Sequence, residues 1–270
     1  MRLLLFAGDP VLARAAEAAG VDRIVVDLER RRKRTRQHGY HLECSGETID
    51  DLRRTRAAIA GEIVCRINPP HAGTPEEVDE VVRAGADVIM LPMFASVAEV
   101  DAFLTAVGGR ATTSLLFETP EALELAPALA SAAFDELYVG LNDLALACHA
   151  PFCYQLVRDG VVDRLRARFP DRPFGFGGVT VADGGVPLPT RLIAAEQSRL
   201  RCTDVILRRA FKRDVQDRDL KIEVDRLHAL YDEHRARSPR TEASDRRRFD
   251  AAVDDVVIPG LVPVGHRQQT

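Results

Sequence analysis

The chain has no tryptophan, no Cys-x-x-Cys pair, no Gly-x-Gly-x-x-Gly turn after its first apolar run, and no apolar run of membrane length. The first absence carries no functional meaning; the others narrow the reading. Five cysteines, Cys44, Cys65, Cys148, Cys153 and Cys202, are odd in number and scattered. They read as free thiols, and a zinc ribbon is not expected. Without the glycine-rich turn, an open doubly wound sheet loses its main signature. The apolar runs are far too short to cross a bilayer. The start, MRLLLFAGDP, turns polar at Asp9, too early for a secretory leader, so the cytoplasm is the expected compartment. A formal net charge of −4 leaves no basic surplus, so nucleic acid is not an expected partner.

What is present is regular. The 270 residues are 46% hydrophobic and 29% charged, enough for a substantial core. Short apolar runs recur at LLLF (3–6), RIVVD (23–27), IVCRI (63–67), DVIML (87–91), TSLLF (113–117), ELYVG (136–140), PFGFG (173–177) and DVIL (204–207). Segments with helical spacing separate them. Several open on Ser or Thr with an acid two or three residues on, as at Thr74-Pro75-Glu76-Glu77 and Ser96-Val97-Ala98-Glu99. Continuous apolar strands alternating with helices imply a covered parallel sheet. Eight such units in about 210 residues predict an α/β fold, a (β/α)8 TIM barrel with an extra C-terminal helix and tail. Residues 210–237 read as one amphipathic closing helix, with Leu220, Ile222, Val224, Leu227, Leu230 and Tyr231 on a stripe. From Ser238 the chain turns polar (SPRTEASDRRRFD). The expected division is therefore a catalytic barrel over 1–237 and a polar tail over 238–270, mobile or serving as an intersubunit arm.

The run LLFETPEAL, residues 115–123, poses the functional question: a buried strand ends on the carboxylate of Glu118. Such a charge is costly unless it caps the next helix or faces a cation. Active sites of this architecture gather at the C-terminal ends of the strands, and charges accumulate there: Asp27 and Glu29, Arg66, Glu118, then Gly140, Asn142 and Asp143. Glu118 and Asp143, after adjacent strands, suit a divalent metal, Mg²⁺ before Mn²⁺ or Co²⁺, with water completing the shell. The alternative is that each acid only caps its helix. Arg66 interrupts an apolar strand, and its fork suits a substrate carboxylate or enolate oxygen. Otherwise it pairs with Asp27 or Glu29. Asp27 would orient Arg66 or bind substrate. Backbone N–H groups from Gly140 onward could take a substrate carboxylate. The glycines at 177 and 178 let backbone or ligand approach closely. The basic run ERRRKRTR (29–36) reads first as a solvated loop. Lying over the mouth, its Lys33, with Arg36 or Gln37, could reach an anionic substrate. His38 and His41 in the same loop are candidates for the general base.

The strand ends, taken in order, resemble the HpcH/HpaI aldolase and citrate lyase β-subunit family. The resemblance covers about residues 1–210 and rests on DLE after strand two, RIN on strand three, ADVIMLP on strand four, ETPEA after strand five and VGLNDLA after strand six. It implies a barrel of the phosphoenolpyruvate/pyruvate-binding superfamily, assembled as a homo-oligomer, a trimer or hexamer. It also implies a divalent metal on Glu118 and Asp143 and a substrate-binding Arg66. The implied chemistry makes or breaks a C–C bond through the enolate of pyruvate or a similar 2-oxo acid, with an aldehyde as a possible second substrate. No Schiff-base lysine is needed, and no lysine stands at a strand end. Two departures stand out. Arg30 follows Glu29 where the pyruvate aldolases carry histidine, and DLERRR replaces the DLEDAV of the acyl-CoA lyases. Two other functions remain open: a citryl- or malyl-type lyase taking a CoA thioester, and a barrel without catalysis that acts in binding.

Overall fold

The computed structural model describes residues 1–30 and 46–257. Eight parallel strands close into one barrel in chain order: β1 (Arg2–Phe6), β2 (Arg23–Asp27), β3 (Glu62–Arg66), β4 (Val88–Leu91), β5 (Thr112–Phe117), β6 (Glu136–Val139), β7 (Phe174–Val179) and β8 (Asp204–Leu207). Each coincides with one of the apolar runs. The described helices are α1 (Pro10–Ala18), α2 (Ile49–Ala58), α3 (Thr74–Arg83), α4 (Val97–Val107), α5 (Pro120–Leu129), α6 (Leu141–Ala147), α7 (Gln155–Arg158), α8 (Val161–Arg168), α9 (Thr190–Arg199), α10 (Arg209–Asp214), α11 (Leu220–Ala236) and α12 (Pro239–Val257). None is long and apolar enough to cross a membrane. The four described cysteines are free thiols.

Alternation along the strands sorts side chains between two cores. Leu3, Leu5, Ile24, Val26, Ile63 and Cys65 pack outward under the helices. Leu4, Val25, Val64, Val88, Met90, Leu116 and Tyr138 form a separate cluster inside the barrel. The same period puts ionic layers above and below that plug. Below it, buried Arg23 meets Glu136 at 2.9 Å, Glu62 at 2.6 Å and Asp204 at 3.4 Å. Above it stand Asp27, Arg66 and Glu118, each two residues past a member of the plug.

One extra residue bulges β7 against β8 between Gly175 and Gly178. Tyr138 repairs the break from inside: its hydroxyl donates to the Gly177 carbonyl at 2.6 Å and accepts from the Ile206 amide at 2.9 Å. Only glycine fits at 175, where a Cβ would lie 2.3 Å from the Tyr138 ring. From outside, Tyr154 donates to the Gly178 carbonyl at 2.8 Å. The glycine cluster thus serves the strand junction.

Three expectations need correction. Thr74 does not cap α3; the N-cap is Gly73, and the Thr74 hydroxyl instead accepts from the His71 amide at 2.9 Å. The closing helix is two helices broken at 215–219, and Ile222, expected on the buried stripe, is 51% exposed. The segment read as a polar tail carries the 19-residue helix α12. Composition misled because α12 is held largely by charge. Arg246 reaches fully buried Glu196 of α9 at 2.6 Å, while Phe249 and Val253 supply its apolar contact. The capping box at Ser96 and Glu99 is present as expected.

Replacing Tyr138 with Phe should leave the Ile206 amide and Gly177 carbonyl unpaired and cost about 1–3 kcal/mol in urea unfolding. An unchanged midpoint would mean that the bulge supports itself.

Candidate active site

The mouth is built around Arg66. Its side chain rises from the end of β3 beside β2, where Asp27 is its register partner. Nε donates to Asp27 Oδ1 at 2.9 Å and Nη2 to Oδ2 at 2.7 Å, a two-toothed pair with a fully buried carboxylate. Nη1 lies 3.4 Å from Glu29 Oε2. Phe6 offers its ring face 5.5 Å away. Burial alone would lower the Arg66 pKa; the charge and hydrogen bonds of Asp27, then the charges of Glu29 and Glu118, reverse this and raise it above the usual value. The guanidinium is therefore permanently charged, fixed in direction, and still partly open to the mouth.

Glu118 ends β5 and is 2% exposed. It does not cap the following helix: Thr119 does, its hydroxyl accepting from the Ala122 amide at 3.1 Å. The Glu118 side chain lies instead across Gly140, where a Cβ would stand 2.7 Å from both its Cβ and Oε2. Gly140 thus makes room for the acid. Its own amide is engaged by the Phe117 carbonyl at 3.0 Å, so it is not a donor to substrate. Asp143 occupies the first turn of α6, whose N-cap Gly140 provides no side-chain cap. Asn142 beside it is exposed.

The structure therefore brings Asp27, Glu29, Arg66, Glu118, Gly140, Asn142 and Asp143 to one end of the barrel. Lys33, Arg36, Gln37, His38 and His41 lie outside the described residues. The pairing of Arg66 with both Asp27 and Glu29, weighed above as the alternative, forms, and it positions the fork. Among the described residues no group of three or more His, Cys, Asp or Glu side chains could hold a metal. Two carboxylates remain compatible with Mg²⁺, which keeps much of its water and borrows ligands from substrate.

Sequence reasoning missed several neighbours. Glu47 folds back onto the mouth and accepts from the Gly8 amide at 3.0 Å and the Asp27 amide at 2.6 Å. Burial, helped by the Asp27 charge, raises its pKa against the two amides and Lys212. Lys212, not at a strand end, sits on α10, the helix that follows β8, with its charge acting on Glu47. Arg30 is structural: its guanidinium donates to the Gly46 and Glu47 carbonyls at 2.8 and 2.9 Å. His71 is also occupied. Its Nδ1 accepts from the Gly73 amide at 2.9 Å, so Nε2 carries the proton and faces Glu77 at 3.0 Å. Nothing in the local sequence marks Glu47, because its partners Gly8 and Asp27 lie 39 and 20 residues away.

A closed (β/α)8 barrel with a charged C-terminal mouth is the class that fold and site define. Solved structures that share the fold include an HpcH/HpaI aldolase from Desulfitobacterium hafniense DCB-2, 16% identical with a TM-score of 0.52, the match covering 76% of this chain and 84% of that one. Another is citrate synthase SbnG, 17% identical with a TM-score of 0.57, covering 80% and 89%. At such identities the likeness is one of fold. No protein-family model matches the chain, and no curated protein matches it.

Removing Asp27 leaves the buried Arg66 guanidinium with only the longer contact to Glu29 and two unmet N–H donors, so Asp27→Ala should cost about 3–5 kcal/mol in urea unfolding. A loss below about 1 kcal/mol would show the pair to be no stronger than a solvated surface contact.

Proposed function

We propose that this protein is a divalent-cation-dependent carbon–carbon lyase or aldolase that works through the enolate of pyruvate or a similar 2-oxo acid. One observation carries the reading: Arg66, locked by Asp27 and flanked by Glu29, shares the barrel mouth with the buried Glu118 carboxylate. The fold shared with an aldolase and with a citrate synthase points the same way.

The residues fit the chemistry. Glu118, seated over Gly140, and Asp143 are hard oxygen donors that would hold Mg²⁺, Mn²⁺ or Co²⁺. When bound, the cation supplies Lewis-acid polarisation of the substrate's carboxylate and 2-oxo oxygens. Arg66 would donate to the oxygen that gains charge as the methyl carbon loses its proton. Because Asp27 and Glu29 already fix the fork, little reorganisation accompanies that step. Asn142 and the first-turn amides after Gly140 would take polar groups of substrate or of an aldehyde acceptor. The base in this reading is His38 or His41, with Lys33 reaching an anionic group.

Proton NMR of pyruvate methyl exchange in deuterated buffer, with each cation and again with EDTA, tests the reading. Exchange should require the cation and vanish in Glu118→Ala and in Asp143→Ala while both variants remain folded. Gly140→Ala, which pushes Glu118 aside, should slow exchange on the order of a hundredfold. Wild-type exchange in the double variant would sink the metal assignment. Exchange with acetyl-CoA in place of pyruvate would move the assignment to a CoA-thioester lyase, and exchange with neither would leave a barrel without enolate chemistry.

A further inference from the structure

The opposite face of the barrel carries a feature that the enolate reading does not use. Where α8 and α9 end, below the N-termini of β7 and β8, a cleft of about 240 Å³ is lined by Arg166, Ala167, Pro170, Arg199, Leu200 and Arg201. Three arginines thus line a space somewhat smaller than a typical ligand pocket.

Their charges are unequally compensated. Arg199 is matched by Asp163 at 2.7 Å and by Glu196 at 2.8 Å, and Glu196 is shared with Arg246. Arg166 makes no ion pair among the described residues. Its Nη1 donates to the carbonyls of Phe169 and Arg172 at 2.9 and 2.8 Å, and its guanidinium stacks 5.3 Å over Phe174. Burial, with the Arg201 charge beside it, lowers the Arg166 pKa despite Asp171 nearby. Arg201 is exposed and also has no ion pair among the described residues.

The backbone at Arg201 strengthens the case. The Arg201 amide bonds to the Ser198 carbonyl and the Cys202 amide to the Gln197 carbonyl at 2.9 Å, a Schellman end to α9. Its left-handed position, with φ of 53°, normally belongs to glycine. Here it holds an arginine that lines the cleft. The bland alternative is that these arginines only answer the negative ends of two helices. That accounts for Arg166 Nη1, but not for a strained Arg201 whose own helix end is already closed by backbone bonds.

We propose that this cleft is an anion site for a phosphoryl group, free or as a small phosphomonoester. A dianion would compensate both Arg166 and Arg201, whose forks match its oxygens. Ala167, Pro170 and Leu200 would accept the short carbon body of an ester. The site is separate from the mouth, since active sites of this architecture lie at the other end.

The test is isothermal titration with inorganic phosphate and with glycerol 3-phosphate, at ionic strength held constant with sodium chloride. Three proteins are compared: wild type, Arg201→Gly and Arg168→Ala. Arg201→Gly removes one guanidinium and relieves the backbone, so it should fold at least as well. Saturable binding to the wild type, weakened about tenfold or more in Arg201→Gly, is expected for the loss of a charge-assisted contact. Arg168, exposed and outside the cleft, should be dispensable. Absence of saturable binding, equal binding by Arg201→Gly, or an equal loss in Arg168→Ala would overturn the proposal.

Discussion

A guanidinium held by two points of a buried carboxylate organises this barrel. Inside a closed sheet, a side chain that points inward has no water to retreat to, and an ion there must meet its counter-ion in good geometry. Asp27 and Arg66 do so as register partners on adjacent strands, so the pairing follows from strand order and needs no loop to arrange it. Glu29 and Glu118 can then come close because the positive charge is already fixed between them. The lower ionic layer around Arg23 follows the same rule at the other end. The apolar plug between them keeps the two charge systems apart.

Space is allotted as strictly as charge. Glu47 reaches the mouth only because residue 8 is glycine: a Cβ there would stand 2.2 Å from its carboxyl carbon. Glu118 depends on Gly140 in the same way. A carboxylate that lies against backbone is desolvated on one side and directed on the other, which suits a group meant to bind rather than to hydrate. Interiors this dense transmit a misplaced methyl directly to the acid beside it.

Much of this could be read from the sequence, for a physical reason. Strands buried on both faces appear as continuous apolar runs, so all eight are visible, and the charges that end them mark Asp27, Arg66 and Glu118 as residues of the mouth. What could not be read depended on distance along the chain. Glu47 precedes a helix and looks like part of a cap; its bonds to the Gly8 and Asp27 amides bring it to the mouth. The helix over Pro239–Val257 looks like a tail because its anchor, the Arg246–Glu196 pair, joins residues 50 apart with unremarkable local context. Lys212 meets Glu47 across 165 positions of the chain, so nothing local marks it either. Thr74 fits a cap by spacing, but the turn from His71 takes its hydroxyl first.

Arg30 links Glu47, Asp27 and Asn68 into one network. A side chain in that place could have served proton transfer; here it closes the two ends of the β2–α2 connection by holding the Gly46 and Glu47 carbonyls. By fixing Glu47 it also braces the Asp27 amide, and through its own amide it reaches Asn68, which bonds Glu77. The chain has therefore used this arginine for order at the mouth, and His71 is spent in the same network. Neither side chain is therefore left over as a proton acceptor at the mouth. The ordered part of the mouth is thus built from strand ends and the first turns after them, the end of a (β/α)8 barrel on which different chemistries can be mounted without changing the scaffold.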